Sequence, residues 1–421
     1  MTASVTGNKI KTIIRVCQMI SRMSQGNPDI ARSETLYYEM LSGYYQRILR
    51  AKDEGKTLAA HTVFFPVEIL YAMDIVPMHT EATTWMIAMF LGDCAEMLSA
   101  GAGLGLAAEI CTAHRGVPGA FITGVLPRPD IILWSNMVCD NTAKSGELFM
   151  ELNHCSGFFL DRPFKDSKEE KRYLVGEMED MIRFLEEQTG RRMDWARLSR
   201  TVAGVARHLE LTREINELRK NVPTPFANRG FMQLISADYL CPGQPEAIRY
   251  LEALRDDLKQ MVARGKGAVP RERFRLMTLF LPPMHLSAFM EEFSQQTGAV
   301  SVIEPFFTLW GEGNLDPDHP LESLVEKTYM TPEMRMYGPL DDRALNAIKQ
   351  SAREYKVDGA IYYADINCRQ SCAAIKLFKD TLNKLDVPML TVDIDVVDPT
   401  ATSKEEVKEK LERFFELLED R

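Results

Sequence analysis

Three cysteines, Cys111, Cys139 and Cys368, stand at the edges of α/β units, where a thiol's chemistry is usable. Cys139 follows a buried-strand pattern, Asp130-Ile-Ile-Leu-Trp-Ser135, by a few residues. Cys368 follows another, Asp358-Gly-Ala-Ile-Tyr-Tyr-Ala364. Cys111 opens the segment Cys111-Thr-Ala-His-Arg-Gly116, one helix upstream of the first of those strands. Groups at the carboxyl ends of parallel strands point into the crevice where such sheets bind ligands. Three soft sulfur donors meeting in a cleft suit an iron–sulfur cluster better than a disulfide.

The elements that must position these thiols come in two similar halves. The apolar spacing of Ile10, Ile13, Ile14, Cys17 and Ile20, and of Tyr37 to Ile48, predicts helices in an N-terminal segment, 1–58. A first α/β domain is expected over 59–165. It has strands at 61–66, 75–78, 130–135 and 157–160, helices over 83–110 and 111–123, and a helix from Thr142 to Leu152. Residues 166–268 read as a helical insert or lid of three helices. The first is announced by a capping box, Ser167 with Glu170, and the others span about 194–220 and 245–263. A second α/β domain, 269–421, has strands at 273–281, 299–303, 358–364 and 388–393 and helices over 344–355 and 375–385. Its last helix is capped by Ser403 and Glu406. The fold class is therefore α/β, with two parallel-sheet domains.

Composition narrows the function. A net charge of −10 argues against nucleic-acid binding, which needs a basic face. No apolar run is long enough to span a bilayer, and the first residues hold no apolar signal core, so a cytoplasmic protein is expected. Eight cysteines in such a chain read as buried small hydrophobes or metal ligands, not as a disulfide framework. Cys372, four residues after Cys368, is the chief rival for the third ligand position, and Cys155 a weaker one; Cys17, Cys94 and Cys241 read as structural.

Other motifs say less. Ser99-Ala-Gly-Ala-Gly-Leu-Gly-Leu106 follows a helical pattern, where a dinucleotide loop follows a strand, so close helix packing is the better reading. No Walker loop is present, which assigns any ATP use to another protein. The seven histidines show no zinc spacing. Glu68 and Glu81 flank the second strand, and a carboxylate there reads equally as a general base or as a solvated loop residue.

At these residues the sequence resembles the benzoyl-CoA reductase / 2-hydroxyacyl-CoA dehydratase family, specifically its cluster-bearing subunits of the 2-hydroxyglutaryl-CoA dehydratase D-component type. Three segments carry the likeness: Phe65-Pro-Val-Glu-Ile-Leu-Tyr-Ala-Met-Asp-Ile-Val-Pro77; Cys111-Thr-Ala-His-Arg with Pro129-Asp-Ile-Ile-Leu-Trp-Ser and Cys139-Asp140; and Asp358-Gly-Ala-Ile with Cys368, Val387-Pro-Met-Leu-Thr-Val-Asp393 and the terminal helix. The resemblance implies a [4Fe–4S] cluster held by Cys111, Cys139 and Cys368 between two Rossmann-like domains. The spacing to Pro388 favours Cys368 over Cys372. It also implies a homologous second subunit or a self-partner, and a separate ATP-hydrolysing iron–sulfur activator that supplies low-potential electrons. The chemistry implied is one-electron reduction of an acyl-CoA thioester. Dehydratases then expel a hydroxyl group, and ring reductases add electrons and protons to an aromatic ring. Three protein ligands leave one iron open.

By position, Glu81 matches a carboxylate that some family members use near the thioester. Where substrate-binding dehydratase subunits often carry a serine, this chain has Val63-Phe-Phe65. That departure is compatible with an aromatic substrate, with an electron-relay subunit, or with another branch. Asp393-Ile-Asp-Val-Val-Asp-Pro399 looks closer to the ring reductases. The competing expectations are a homodimeric double-cubane-cluster reductase of small molecules and a non-catalytic electron-relay or scaffold subunit.

Overall fold

The computed structural model describes residues 7–27, 30–332 and 342–421. It contains two four-stranded sheets, both wholly parallel. The first is made of β1 (Leu58–His61), β2 (Val76–His79), β3 (Ile131–Ser135) and β4 (Ser156–Leu160), in the order β2-β1-β3-β4. The second repeats that plan with β5 (Phe274–Leu279), β6 (Ala299–Ile303), β7 (Gly359–Asp365) and β8 (Met389–Ile394), in the order β6-β5-β7-β8. In each sheet the chain steps outward by one strand and then crosses back over its starting strand. The direction therefore reverses between β1 and β3, and between β5 and β7, which opens a crevice at their carboxyl ends.

In the first sheet β1, β2 and β3 are buried along their whole length because they are apolar at nearly every position. Leu58, Ala60, Ile132 and Trp134 join a core that includes the N-terminal helices Asn8–Ser24 and Arg32–Arg50. Ala59, Ile131 and Leu133 point the other way, into a core with Leu174, Met178 and Leu185 of the helix Lys168–Thr189 and Leu198 and Val202 of Trp195–Arg219. This two-sided burial is what a parallel sheet requires.

At both expected capping boxes the serine N-cap forms. Ser167 Oγ accepts the Glu170 N–H at 3.3 Å, and Ser403 Oγ accepts the Glu406 N–H at 3.2 Å. Four local expectations are corrected. The first strand ends at His61 and does not run over 61–66, because Phe64 takes a left-handed conformation (φ 61°) and turns the chain before Pro66. The helix expected over 83–110 is two helices, Thr80–Leu91 and Ala95–Ala102, broken at Gly92 (φ 61°). The helix expected over 375–385 starts earlier, at Arg369, with Cys368 as its N-cap. The region of the insert holds a fourth helix, Arg229–Leu240, whose residues from Gly230 to Asp238 are all buried. A helix buried all round carries no amphipathic signal.

The glycine-rich stretch packs helices, as its context implied. A β-carbon at Gly101 would lie 2.0 Å from the Arg115 carbonyl oxygen, and one at Gly119 would lie 1.7 Å from that of Met97. Ala95–Ala102 therefore lies backbone to backbone on the helix Thr112–Ile122, which follows Cys111.

Candidate functional site

Cys111, Cys139 and Cys368 all line one cavity of about 410 Å³ at the carboxyl ends of the two sheets. Cys139 lies four residues beyond β3, and Cys368 three beyond β7, the equivalent strand. Each stands at the start of a helix. Cys111 immediately precedes Thr112–Ile122, and Cys368 caps Arg369–Asn383, accepting the Ser371 N–H at 3.5 Å. Cys139 precedes Thr142–Asn153, and the Asn141 and Thr142 N–H groups favour its charged form. Three helix N-termini thus converge on one space, a field that favours anionic sulfur.

Cys372 is exposed and does not line the cavity; its Sγ lies 3.3 Å from the Asp365 carbonyl oxygen. Cys155 precedes β4, at the amino end of the sheet, in a separate surface hollow. Cys17, Cys94 and Cys241 are buried in the core.

Glu81 also lines the cavity, from the first turn of Thr80–Leu91, and is 1% exposed. Burial raises its carboxyl to about 7. Thr80 Oγ1 lies 2.7 Å from Glu81 Oε2 and 3.0 Å from the His61 carbonyl oxygen. A hydroxyl has one proton and a carbonyl can only accept. When Thr80 serves His61, the bond to Glu81 needs a proton on the carboxyl. Glu81 Oε1 has no hydrogen-bond partner among the described residues. Glu68 is elsewhere: it is buried against Lys327, beside a separate small cavity.

Sequence reasoning missed several neighbours. His114 lies one helical turn after Cys111; its Nε2 is 3.6 Å from Cys139 Sγ and 3.7 Å from Glu81 Oε1, and burial lowers its pKa to about 4. The signal was in hand, since residues at i and i+3 share a helix face. His79 is also held neutral by burial; its Nδ1 accepts the Ala82 N–H, which leaves the proton on Nε2. Trp85, Tyr239, Phe64, Phe280 and Phe307 give the cavity an aromatic wall. Tyr239 comes from the helix that periodicity did not reveal. Phe64, Val138 and Phe280 all carry positive φ values near 60° and all line the cavity. Non-glycine residues in that region cost about 1–3 kcal/mol each and cluster at functional sites.

The family model described as 2-hydroxyglutaryl-CoA dehydratase, D-component, matches residues 62–418. The chain belongs to that family. Among its relatives, a benzoyl-CoA reductase subunit from Thauera aromatica is 23% identical, over 94% of this chain and 97% of its own. The (R)-2-hydroxyisocaproyl-CoA dehydratase alpha subunit of Clostridioides difficile is 21% identical, over 91% and 95%. The (R)-phenyllactyl-CoA dehydratase alpha subunit of Clostridium sporogenes is 19% identical, over 94% and 98%. No helix among the described residues is long and apolar enough to cross a membrane.

The family's dependence on iron and sulfur sets a test of the donor set. Among the described residues, no three His, Cys, Asp or Glu side chains stand in the arrangement that holds a single metal ion. A cluster asks for something else, one thiolate on each of several irons. The sulfurs meet that demand: all three are free, share one cavity and sit at helix N-termini. With no metal charge beside them, burial raises Cys139 to about 11 and Cys368 to about 12, and holds Cys111 well above an ordinary thiol. The positive charge of bound iron would outweigh that burial and favour the thiolates. The residues fit the cluster.

Proposed function

We propose that the chain is the cluster-bearing subunit of a low-potential acyl-CoA enzyme, of the benzoyl-CoA reductase or 2-hydroxyacyl-CoA dehydratase type. Cys111, Cys139 and Cys368 hold a [4Fe–4S] cluster, which supplies low-potential single electrons to a CoA thioester. An ATP-dependent iron–sulfur activator delivers those electrons, and a homologous subunit, or a second copy of the chain, completes the enzyme. The observation that carries this reading is the convergence of three sequence-distant thiols on one cavity at the carboxyl ends of the two sheets. The names of the full-length relatives, acyl-CoA reductase and dehydratase subunits, support the reaction class.

The chain's own residues have definable tasks. The aromatic wall of Phe64, Trp85, Tyr239, Phe280 and Phe307 excludes water and takes a flat, apolar acyl group. Glu81, whose carboxyl sits near 7, holds or releases a proton inside the cavity; its Oε1 and the Trp85 indole N–H are buried there without a hydrogen-bond partner among the described residues. His114, neutral, packs between Glu81 and Cys139, with its Nε2 within reach of the Cys139 sulfur.

The test is anaerobic purification with iron and sulfide analysis. Wild-type protein is expected to carry about four irons per chain at most. C139A is expected to lose its iron while its far-UV circular dichroism is unchanged, and C372A to keep it. Full iron content in C139A would contradict the assignment. Benzoyl-CoA is expected to bind more tightly than 2-hydroxyglutaryl-CoA by titration calorimetry; the reverse order would remove the assignment of an apolar acyl group.

A further inference from the structure

Asp395 follows β8 directly and is 1% exposed. It touches neither the cavity nor a thiol, yet it is the meeting point of two of the three cysteine loops. Its Oδ1 accepts from Thr112 Oγ1 at 2.5 Å, and Thr112 is the neighbour of Cys111. Its Oδ2 accepts from Asn367 Nδ2 at 2.8 Å, and Asn367 is the neighbour of Cys368. Oδ1 also accepts the backbone N–H groups of Val397 and Asp398, at 2.9 and 2.8 Å, and the Asp395 N–H donates to Thr402 Oγ1 at 2.7 Å. The carboxylate thus takes four donors from three separate stretches of chain, and the turn after β8 holds it rigidly.

We propose that Asp395 is a positioning residue that fixes the distance between the Cys111 and Cys368 sulfurs by tying Thr112, in one half of the molecule, to Asn367, in the other. The proposal rests on the cluster reading above, in that the distance matters because one inorganic group must span it. Groups behind metal ligands set ligand orientation, and their loss typically weakens metal holding about 10–100-fold. The third loop is tied differently: Arg369 reaches Asp140 at 2.5 Å, and Gln370 donates to the Val138 carbonyl oxygen. Arg369 is largely exposed, so that tie is screened by water. The Asp395 link is better sheltered: its Thr112 arm is buried and its Asn367 arm partly buried.

An amide at position 395 offers one acceptor atom where two are used, so Asp395→Asn must set an N–H group against either Thr112 and its backbone companions or Asn367. Thr112→Val removes one hydroxyl and keeps the shape; Thr112→Ser keeps the hydroxyl. The experiment loads each protein with iron and sulfide anaerobically. It then follows cluster loss to an iron chelator and the electron paramagnetic resonance spectrum of the reduced form.

D395N and T112V are expected to lose the cluster about 10–100-fold faster than wild type, with altered spectra, and T112S to match wild type. T112V losing iron no faster than T112S, with an unchanged spectrum, overturns the proposal, and that comparison stands even if D395N fails to fold. If no variant and not even wild type takes up a cluster, the reading of the site fails, and hydrogen exchange on the metal-free chain still decides the link. Faster exchange in D395N over both 111–116 and 366–372 upholds it; faster exchange only over 395–398 sinks it.

Discussion

Glu81 is a residue whose protonation the fold controls. An unfolded carboxyl titrates near 4.5, and burial raises this one to about 7. Between those values the folded chain keeps a proton that the unfolded chain has released. The stability contribution of this group is therefore full at low pH and falls as pH rises from about 4.5 to 7, by on the order of 3 kcal/mol in all. E81Q keeps the shape and cannot ionise. Its stability curve is expected to be flatter over that window, measured by urea unfolding at a series of pH values, while turnover with the activator falls about 100-fold or more. An identical pH slope in both proteins would show that Glu81 does not titrate there.

At the scale of elements, the helix Thr112–Ile122 carries the most responsibility. It follows Cys111, presents His114 to Glu81 and Cys139, and lies backbone to backbone on Ala95–Ala102 through Gly101 and Gly119. The obstacle at Gly119 is the Met97 carbonyl, part of a helix backbone, so no rotamer change can relieve it. Gly119→Ala is expected to destabilise the chain by about 2–3 kcal/mol in chemical denaturation. Gly176→Ala, on an open helix surface, should be neutral or slightly stabilising. Equal midpoints for these two variants would disprove the close approach. The starts of Thr112–Ile122, Thr142–Asn153 and Arg369–Asn383 together build a positive pocket that no single element has.

For the whole molecule, the question is what holds two sheets so that their crevices face. The helix Trp195–Arg219 joins the core on one face of the first sheet through Leu198 and Val202 and ends in Arg219, whose guanidinium meets Glu304 just past β6 at 2.6 Å. Both side chains are fully buried, with Ser301 completing the Glu304 carboxylate and Phe226 under the Arg219 plane. Arg219→Ala strands a buried carboxylate and is expected to cost about 3–5 kcal/mol, read by urea unfolding. The double variant R219M/E304L should recover most of it, because an apolar pair of similar volume needs no desolvated charge. Failure of the double variant to recover stability would mean that the pair's geometry, and not just its charge balance, is required.

Periodicity and end signals along the chain were enough for seven of the eight parallel strands in outline, both serine N-caps and the α/β class, because those depend on neighbours within a few residues. Cys111, Cys139 and Cys368 stood out because each borders a strand or helix end that the sequence displays. The sequence alone did not reveal Arg229–Leu240, since a helix buried on every side has no polar face to mark it. Nor did it reveal the partnership of Glu81, His114 and Cys139, or that of Thr112, Asn367 and Asp395. Those contacts join residues far apart in the chain, and their distances follow from how two twisted sheets pack against shared helices. Local pattern determines what an element is; only the packed tertiary structure determines which side chains it meets.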